Sequence, residues 1–405
     1  MQAGRPIPVN PARMLAELDE LRTIGAVGKG VSRLAFSGAD IAARIWLAGR
    51  MRAAGLEAVV DPWGNLFGLP PGEGPCLLIG SHSDTQPLGG WLDGIYGVAC
   101  GLEIARAARE AGGPRIAVVS FQDEEGRFGG LTGSAVWAGA MEPEEADRLS
   151  DAEGITLAEA RQRAQEIADI GEVSPAQFAA YLEPHIEQGP VLDRAGETLG
   201  VVEAIAGVRS LTLTFSGEAN HAGTTPMHLR RDAVRGLYNF AAALDTAFAP
   251  LVTDRTVWTL GRIAVDPNAP SIVPGTASVS VQIRDPETAR LDRLMAEAMG
   301  VAEHTALALE LDLSVSQGFS ADPVPMDPRM TEALAEAAGG IAPGRWRRMS
   351  SGALHDATHV SRVLPTAMLF VPSIGGISHN PDEDTKRADL EIGLLALTEA
   401  IPHLP

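Results

Sequence analysis

Cysteine is nearly absent from this chain of 405 residues, with Cys76 and Cys100 the only two. Two thiols cannot frame a disulfide-stapled fold. Both lie in apolar runs, CLLIG and VACG, where a buried free cysteine is expected. Lysine is almost as scarce: Lys29 and Lys386 stand alone among 32 basic residues, no basic tract exists, and the net charge is −20. Phosphate backbones and anionic lipid repel such a chain, so neither nucleic acid nor a membrane surface is an expected partner. No stretch of about 18 apolar residues occurs, so no transmembrane helix is expected. The opening MQAGRPIPVNPARMLAEL lacks the apolar core of a signal peptide, which makes the cytoplasm the expected location.

What is present is ordinary core material, 45% hydrophobic, in a chain longer than one core usually holds. Residues 11–58 read as helical. One helix spans Gly38–Ala54 with Ile41, Ile45, Leu47 and Met51 at helical spacing and Ser37 as its N-cap. The chain turns near Pro70–Pro75. The apolar run CLLIGSH (76–82), an amphipathic segment ending at Gly112–Gly113 and the run RIAVVSF (115–121) then make strand, helix, strand. That order implies a βαβ unit and a mostly parallel sheet, whose ligands gather beyond the carboxyl ends of the strands. From about 208 to 316 the pattern changes to strand, helix, strand, strand, helix, strand. The strands are 210–217, 256–265, 277–285 and an alternating run through Leu309, Leu311, Leu313 and Val315. This is the order of a ferredoxin-like sandwich. After the turn-rich 319–328 the chain returns to a buried strand at 366–373. The expected organisation is an α/β domain from 1–207 and 319–405, interrupted by an inserted domain at 208–318.

Chemistry concentrates in four clusters. In GSHSDTQPLGGWLDG, His82 and Asp84 leave a strand end two residues apart, and Asp93 precedes the next helix. A carboxylate beside a histidine can take its second ring proton and fix the tautomer that binds metal, though an Asp before a helix is also an ordinary N-cap. In FQDEEGRFG, Asp123, Glu124 and Glu125 repel one another unless solvent or a cation relieves them. EPHIEQGP adds His185, Glu187 and Gln188, and GGISHNPDED adds His379. Imidazole and carboxylate without thiolate suit zinc, manganese and similar divalent ions. The glycine pair Gly89–Gly90 lacks the Lys-Ser/Thr of a phosphate loop.

Taken in order, GSHSDTQPLGGWLDG, FQDEEGRFG, HIEQGP, NHAGTTPMHLRRDA, IVPG, SGALHDA and GISHNPDE resemble the amidohydrolase family of N-carbamoyl-L-amino-acid hydrolases, allantoate amidohydrolases and β-ureidopropionases. That family sits within the di-metal aminoacylases and carboxypeptidases. The resemblance implies a di-metal peptidase-like catalytic domain with an inserted lid or dimerisation domain, and hydrolysis of linear amide or ureido C–N bonds. It implies two divalent ions per subunit (zinc or manganese, with cobalt or nickel as further choices). His82 and His185 would hold one, Glu125 and His379 the other, and Asp93 would bridge them. Glu124 would be the general base, Asp84 would orient His82, and His221 would stabilise the tetrahedral intermediate. Arg284 would bind the carboxylate of a small substrate, with Gln188, Ser271 and His355 lining the site. A homodimer formed through the inserted domain is implied as well.

Trp91 departs from the family pattern where Arg or Lys is common. So do Ser271 where Asn is common, Leu354 for Gly and Asn380 for Ser. No ligand or base is lost, but the substrate pocket is open to change. His355 and Asp356 either line the site or brace a loop, while His228, His304, His359 and His403 fall outside the metal motifs. An N-acyl-amino-acid deacylase or dipeptidase is the nearest alternative enzyme. A non-catalytic binding protein is disfavoured because all five ligands and the base are present together.

Overall fold

A computed structural model describes residues 7–404. Two compact units emerge, one running to Glu203 and resuming at Met326, the other spanning Ala204–Pro325. The second unit is thus wider at both ends than the 208–318 segment expected from the strand pattern. Among the described residues no helix is long and apolar enough to cross a membrane.

The first unit is built on a mixed sheet that is parallel at its centre. Thr366–Val371, Phe178–Ile186, Cys76–His82 and Ile116–Phe121 lie side by side in parallel. Leu199–Ile205 flanks them antiparallel on one side, and Leu66–Leu69 followed by Glu57–Val60 on the other. Every residue of Cys76–His82, Ile116–Phe121 and Thr366–Val371 is buried, as expected of strands covered on both faces. The helix Ile95–Ala111 joins the first two of these strands and completes the βαβ unit. Both cysteines are buried free thiols.

The reading of 11–58 as helix is corrected in part. Helices cover Pro11–Arg22 and Gly38–Ala53, the latter capped by Ser37, whose Oγ accepts the Asp40 N–H at 3.2 Å. Between them Ala26–Val27 pairs with Gly30–Val31 in a small hairpin, and Glu57–Val60 is a strand. Gly25 and Gly28 hold positive φ, which ends helical continuation.

One buried cation ties this scaffold to the site. Arg44, wholly buried, donates to Asp40 Oδ1 at 3.0 Å and to the carbonyls of Gly64 and Ser120 at 3.1 Å and Phe121 at 2.5 Å. It therefore fixes the end of the strand from which Glu124 and Glu125 depart. Removing it would strand the Asp40 charge in the core, at a cost of about 3–5 kcal/mol.

The inserted unit has four antiparallel strands in the order Val257–Asp266, Thr276–Asp285, Gly207–Ser216, Asp312–Ala321. Helices Ala233–Phe248 and Thr288–Ala308 supply the remaining elements of the β-α-β-β-α-β order. Alternation decides which face is covered. Ala277, Val279, Val281 and Ile283 are buried with Leu211, Leu213 and Phe215 and with helix residues Phe240, Leu244 and Leu294. The last strand begins at Asp312, later than its apolar alternation suggested. Leu309 caps the preceding helix and Leu311 packs into the core before the strand starts. Beyond the Ser216–Thr276 pair, Asn220–His221 pairs with Ile272–Val273 in a separate two-stranded sheet.

Candidate metal centre

The parallel strands deliver their side chains to one edge of the sheet. His82 is the last residue of its strand, Gln122–Glu125 follow the neighbouring strand, His185 lies one residue from the end of the third, and the loop after Val371 reaches His379. Asp93 enters from the turn before the helix Ile95–Ala111. Gly94 makes that turn with φ +65, and a Cβ there would collide with the His82 ring. A residue with a side chain could not stand between Asp93 and the helix without displacing His82.

Asp93 sits at the centre. Its Oδ1 lies 3.2 Å from His185 Nε2 and 3.8 Å from His82 Nε2, and its Oδ2 lies 3.3 Å from His379 Nε2. Glu125 Oε2 stands 3.4 Å from His379 Nε2, and Glu124 Oε2 stands 3.6 Å from His82 Nε2. Two groups of potential ligand atoms result, His82–Asp93–His185 and Asp93–Glu125–His379, sharing one carboxylate. Ligands bound at about 2.1 Å around a tetrahedral ion stand about 3.4 Å apart, and these separations match that spacing.

The hydrogen bonds leave the centre short of donors. His82 Nδ1 faces the Asp84 carbonyl at 3.1 Å and His185 Nδ1 faces the Ile186 carbonyl at 2.8 Å, so each ring donates outward and turns Nε2 inward as an acceptor. The Gly94 N–H donates to His185 Nε2 at 3.2 Å. Asp93 Oδ1 is buried and accepts no directed hydrogen bond. Facing lone pairs around an orphaned carboxylate oxygen call for a cation, and this donor set without thiolate fits a hard or borderline divalent ion.

Charge states differ between the rings, and at two of them a proton stands where a cation would. Burial pushes the His82 imidazole down to about 3, which keeps it neutral. Burial pulls His185 down too, but the Asp93 carboxylate outweighs it and raises the ring to about 9. Contact with Asp93 likewise raises His379 to about 9. Burial, then the facing charges of Glu125, Asp356, Asp93 and Asp84, push Glu124 well above the usual carboxylate range.

The remaining candidates fall into place unequally. Asp84 lies beside His82, but its carbonyl takes the ring contact while its Oδ1 stays 3.6 Å from Nδ1. Its Oδ2 accepts the Glu125 N–H at 3.1 Å, bracing the next candidate ligand instead. Asp123 is turned away from its neighbours, accepting from Phe128 and Gly129 N–H at 3.0 Å and from Thr132 Oγ1 at 2.5 Å. That relieves the triple carboxylate. Gln188, with φ +56, donates from Nε2 to Asp93 Oδ2 at 3.0 Å. Glu187 caps the short helix Val191–Ala195. His355 is 1% exposed, packs edge-on against His185 at 4.5 Å and pairs with Ser351 Oγ at 2.8 Å. It backs a candidate ligand. Trp91 is buried in the core under the Arg22 guanidinium, 4.6 Å from the ring.

Three residues belong to the inserted unit. His221 Nδ1 accepts the N–H groups of Gly223 at 3.0 Å and Thr224 at 3.2 Å, which puts the ring proton on an exposed Nε2. Ser271 is beside it, its carbonyl accepting the Ala222 N–H at 3.0 Å. Half-buried Arg284, whose contacts include Gln282 Oε1 at 3.2 Å, pairs in register with Val208 at the other end of the sheet.

Two residues that sequence reasoning missed touch the candidate ligands or their backbone. Gln86 donates to Glu125 Oε2 at 2.8 Å, and Glu383 accepts from the Asp93 N–H at 3.1 Å. Gln86 lies within the first cluster, but a neutral amide gave no signal. Glu383 lies among three acidic residues, Asp382, Glu383 and Asp384, whose spacing does not single it out.

Comparison with known proteins matches residues 78–403 to the peptidase family M20/M25/M40. The N-carbamoyl-L-amino-acid amidohydrolase of Paenarthrobacter aurescens is 36% identical over 399 residues, covering 94% of this chain and 95% of that protein. The allantoate amidohydrolase of Escherichia coli is 36% identical over 383 residues, 91% of each. Among solved structures, an amidase of the hydantoinase/carbamoylase family from Burkholderia phymatum superposes with a TM-score of 0.92 at 40% identity, covering 98% of both chains. With its two ligand groups and shared carboxylate, this chain belongs to the peptidase family M20/M25/M40.

Proposed function

We propose that the protein is a metal-dependent hydrolase of linear ureido or amide C–N bonds, acting on an N-carbamoyl-L-amino acid or a related ureido acid such as allantoate. The observation that carries this reading is the shared Asp93 carboxylate between two imidazole–carboxylate groups, with Glu124 beside it 3.6 Å from His82. The amidohydrolase names of full-length relatives support the substrate class.

His82, Asp93 and His185 would hold one ion, and Asp93, Glu125 and His379 the other. Such ions supply Lewis acidity and lower the pKa of water. Glu124, nearly enclosed and flanked by carboxylates, is suited to take a proton from the attacking water and deliver it to the leaving nitrogen. A bound cation would stabilise its ionised form, which burial alone disfavours. His221 offers its Nε2–H to a developing oxyanion. Arg284 offers a planar fork to the substrate carboxylate, and Gln188 orients groups at the bridging ligand.

The inserted sheet bears on assembly. Arg284 pairs with Val208 while Thr276 pairs with Ser216, and His221 lies beyond that second pair. Eight residues of extended strand separate Arg284 from Thr276, about 26 Å at 3.3 Å per residue. That exceeds the length of a carbamoyl amino acid. If both side chains act on one such substrate, they come from two copies, which supports a homodimer joined through this unit.

The test is a panel of N-carbamoyl amino acids, allantoate, N-acetyl amino acids and dipeptides scored for ammonia and free amino acid. Ammonia release from a carbamoyl or ureido acid is expected. Turnover confined to acetyl derivatives or dipeptides would replace this reading with the deacylase or dipeptidase alternative.

A further inference from the structure

The loop that carries His379 is fastened to the turn that carries Asp93 by the Glu383 carboxylate, beside Gln188, whose Nε2 lies 3.0 Å from Asp93 Oδ2 and 3.3 Å from His379 Nε2. Glu383 Oε1 accepts the N–H groups of Leu92 at 3.2 Å and Asp93 at 3.1 Å, and Oε2 accepts Ser378 Oγ at 2.8 Å. Glu383 is 2% exposed and belongs to neither ligand group. Its carboxylate thus grips the backbone of the bridging ligand with one oxygen and the neighbour of His379 with the other. The two segments are 290 residues apart in sequence.

His379 needs such support. Its backbone lies at φ +53, a left-handed conformation that disfavours an ordinary residue and persists only where its surroundings impose it. Other bonds close the loop on itself. The Asp382 N–H donates to Asn380 Oδ1 at 2.9 Å, and Thr385 Oγ1 donates to the Pro372 carbonyl at 2.7 Å. Neither reaches the Asp93 segment. That segment is in turn shaped around the carboxylate, since a Cβ added at Gly90 would run into the Glu383 carboxyl group.

We propose that Glu383 is a positioning residue. By holding the amides of Leu92 and Asp93 together with the Ser378 hydroxyl, it sets the 3.3 Å separation of Asp93 Oδ2 and His379 Nε2 and so assembles the second cation position from two remote segments. The inference rests on the metal reading above and adds a residue that touches neither ion nor substrate. Losing such outer contacts typically weakens metal binding about 10- to 100-fold.

The test titrates manganese or zinc into the metal-depleted full chain by calorimetry, for the parent, Glu383→Ala, Glu383→Gln and Gly90→Ala. The thermal midpoint of each metal-free form is measured alongside. The parent should bind two ions. Glu383→Ala should weaken the second ion about 10- to 100-fold and the first far less. Glu383→Gln keeps an oxygen for the two amides and a polar group for Ser378, so it should bind nearly as the parent does. Gly90→Ala leaves the carboxylate chemically intact but pushes it aside, and should reproduce the selective loss. Unchanged binding in Glu383→Ala overturns the proposal. So does an equal loss in the Gln and Ala variants, or an equal weakening of both ions with a lowered thermal midpoint. A parent that binds no ion overturns the metal reading itself, an outcome visible before any variant is made.

Discussion

His185 turns Nε2 toward Asp93 Oδ1 across 3.2 Å while its Nδ1 is committed to the Ile186 carbonyl at 2.8 Å. Only a proton or a cation satisfies the first gap. With His185 and His379 both raised to about 9, the metal-free protein carries protons there around neutral pH, and ions must displace them. Metal affinity should therefore rise with pH up to about 9, with at least two protons released near neutral pH as both positions fill, one from each ring and more from Glu125 and Glu124, which burial pushes up. Calorimetry in buffers of different ionisation heat measures the release. Affinity independent of pH between neutrality and 9 would contradict the assignment of these rings as ligands.

Glu124→Gln preserves shape but cannot take a proton. Turnover should fall by roughly two to four orders of magnitude while metal content stays near that of the parent. Elemental analysis beside steady-state kinetics settles it. A variant that loses metal yet keeps its rate per bound ion would show that Glu124 and Glu125 have exchanged roles.

Arg284 lies on the face of its strand opposite Val281 and Ile283, which are buried in the inserted core. If it clamps a substrate carboxylate, Arg284→Ala should cost about 2–5 kcal/mol, roughly 30-fold to several-thousand-fold in kcat/KM. The loss should be large for an N-carbamoyl amino acid and small for its amide, which has no carboxylate. Equal losses on both would point to a folding or domain role.

The separation of Arg284 from His221 along the inserted sheet gives the dimer a direct check. Mixing inactive Glu124→Gln with inactive His221→Ala should regenerate active sites as subunits exchange. Persistent inactivity after demonstrated exchange would show that His221 serves its own chain.

How much of this was legible in the sequence depended on the range of the interaction. The buried strands Cys76–His82 and Ile116–Phe121 and the clusters at their ends follow from local apolar runs and from the rule that parallel strands gather ligands at one edge. The strand Glu57–Val60 was hidden because its partner Leu66–Leu69, not its own pattern, decides its state. Asp84 looked like the acceptor for His82, since residues two apart on a strand share a face. The strand ends at His82, and past it the backbone turns a carbonyl toward the ring. Glu383 was illegible for the same reason: a carboxylate that acts through backbone amides 290 residues away leaves no local pattern.

The measurement closest to the central claim is ammonia release from an N-carbamoyl-L-amino acid by protein stripped with a chelator and then resupplied with zinc, manganese or cobalt. The account predicts no turnover in the stripped protein and recovery on resupply, with recovery abolished in His185→Ala and His379→Ala. Full activity in protein shown to be metal-free would contradict it.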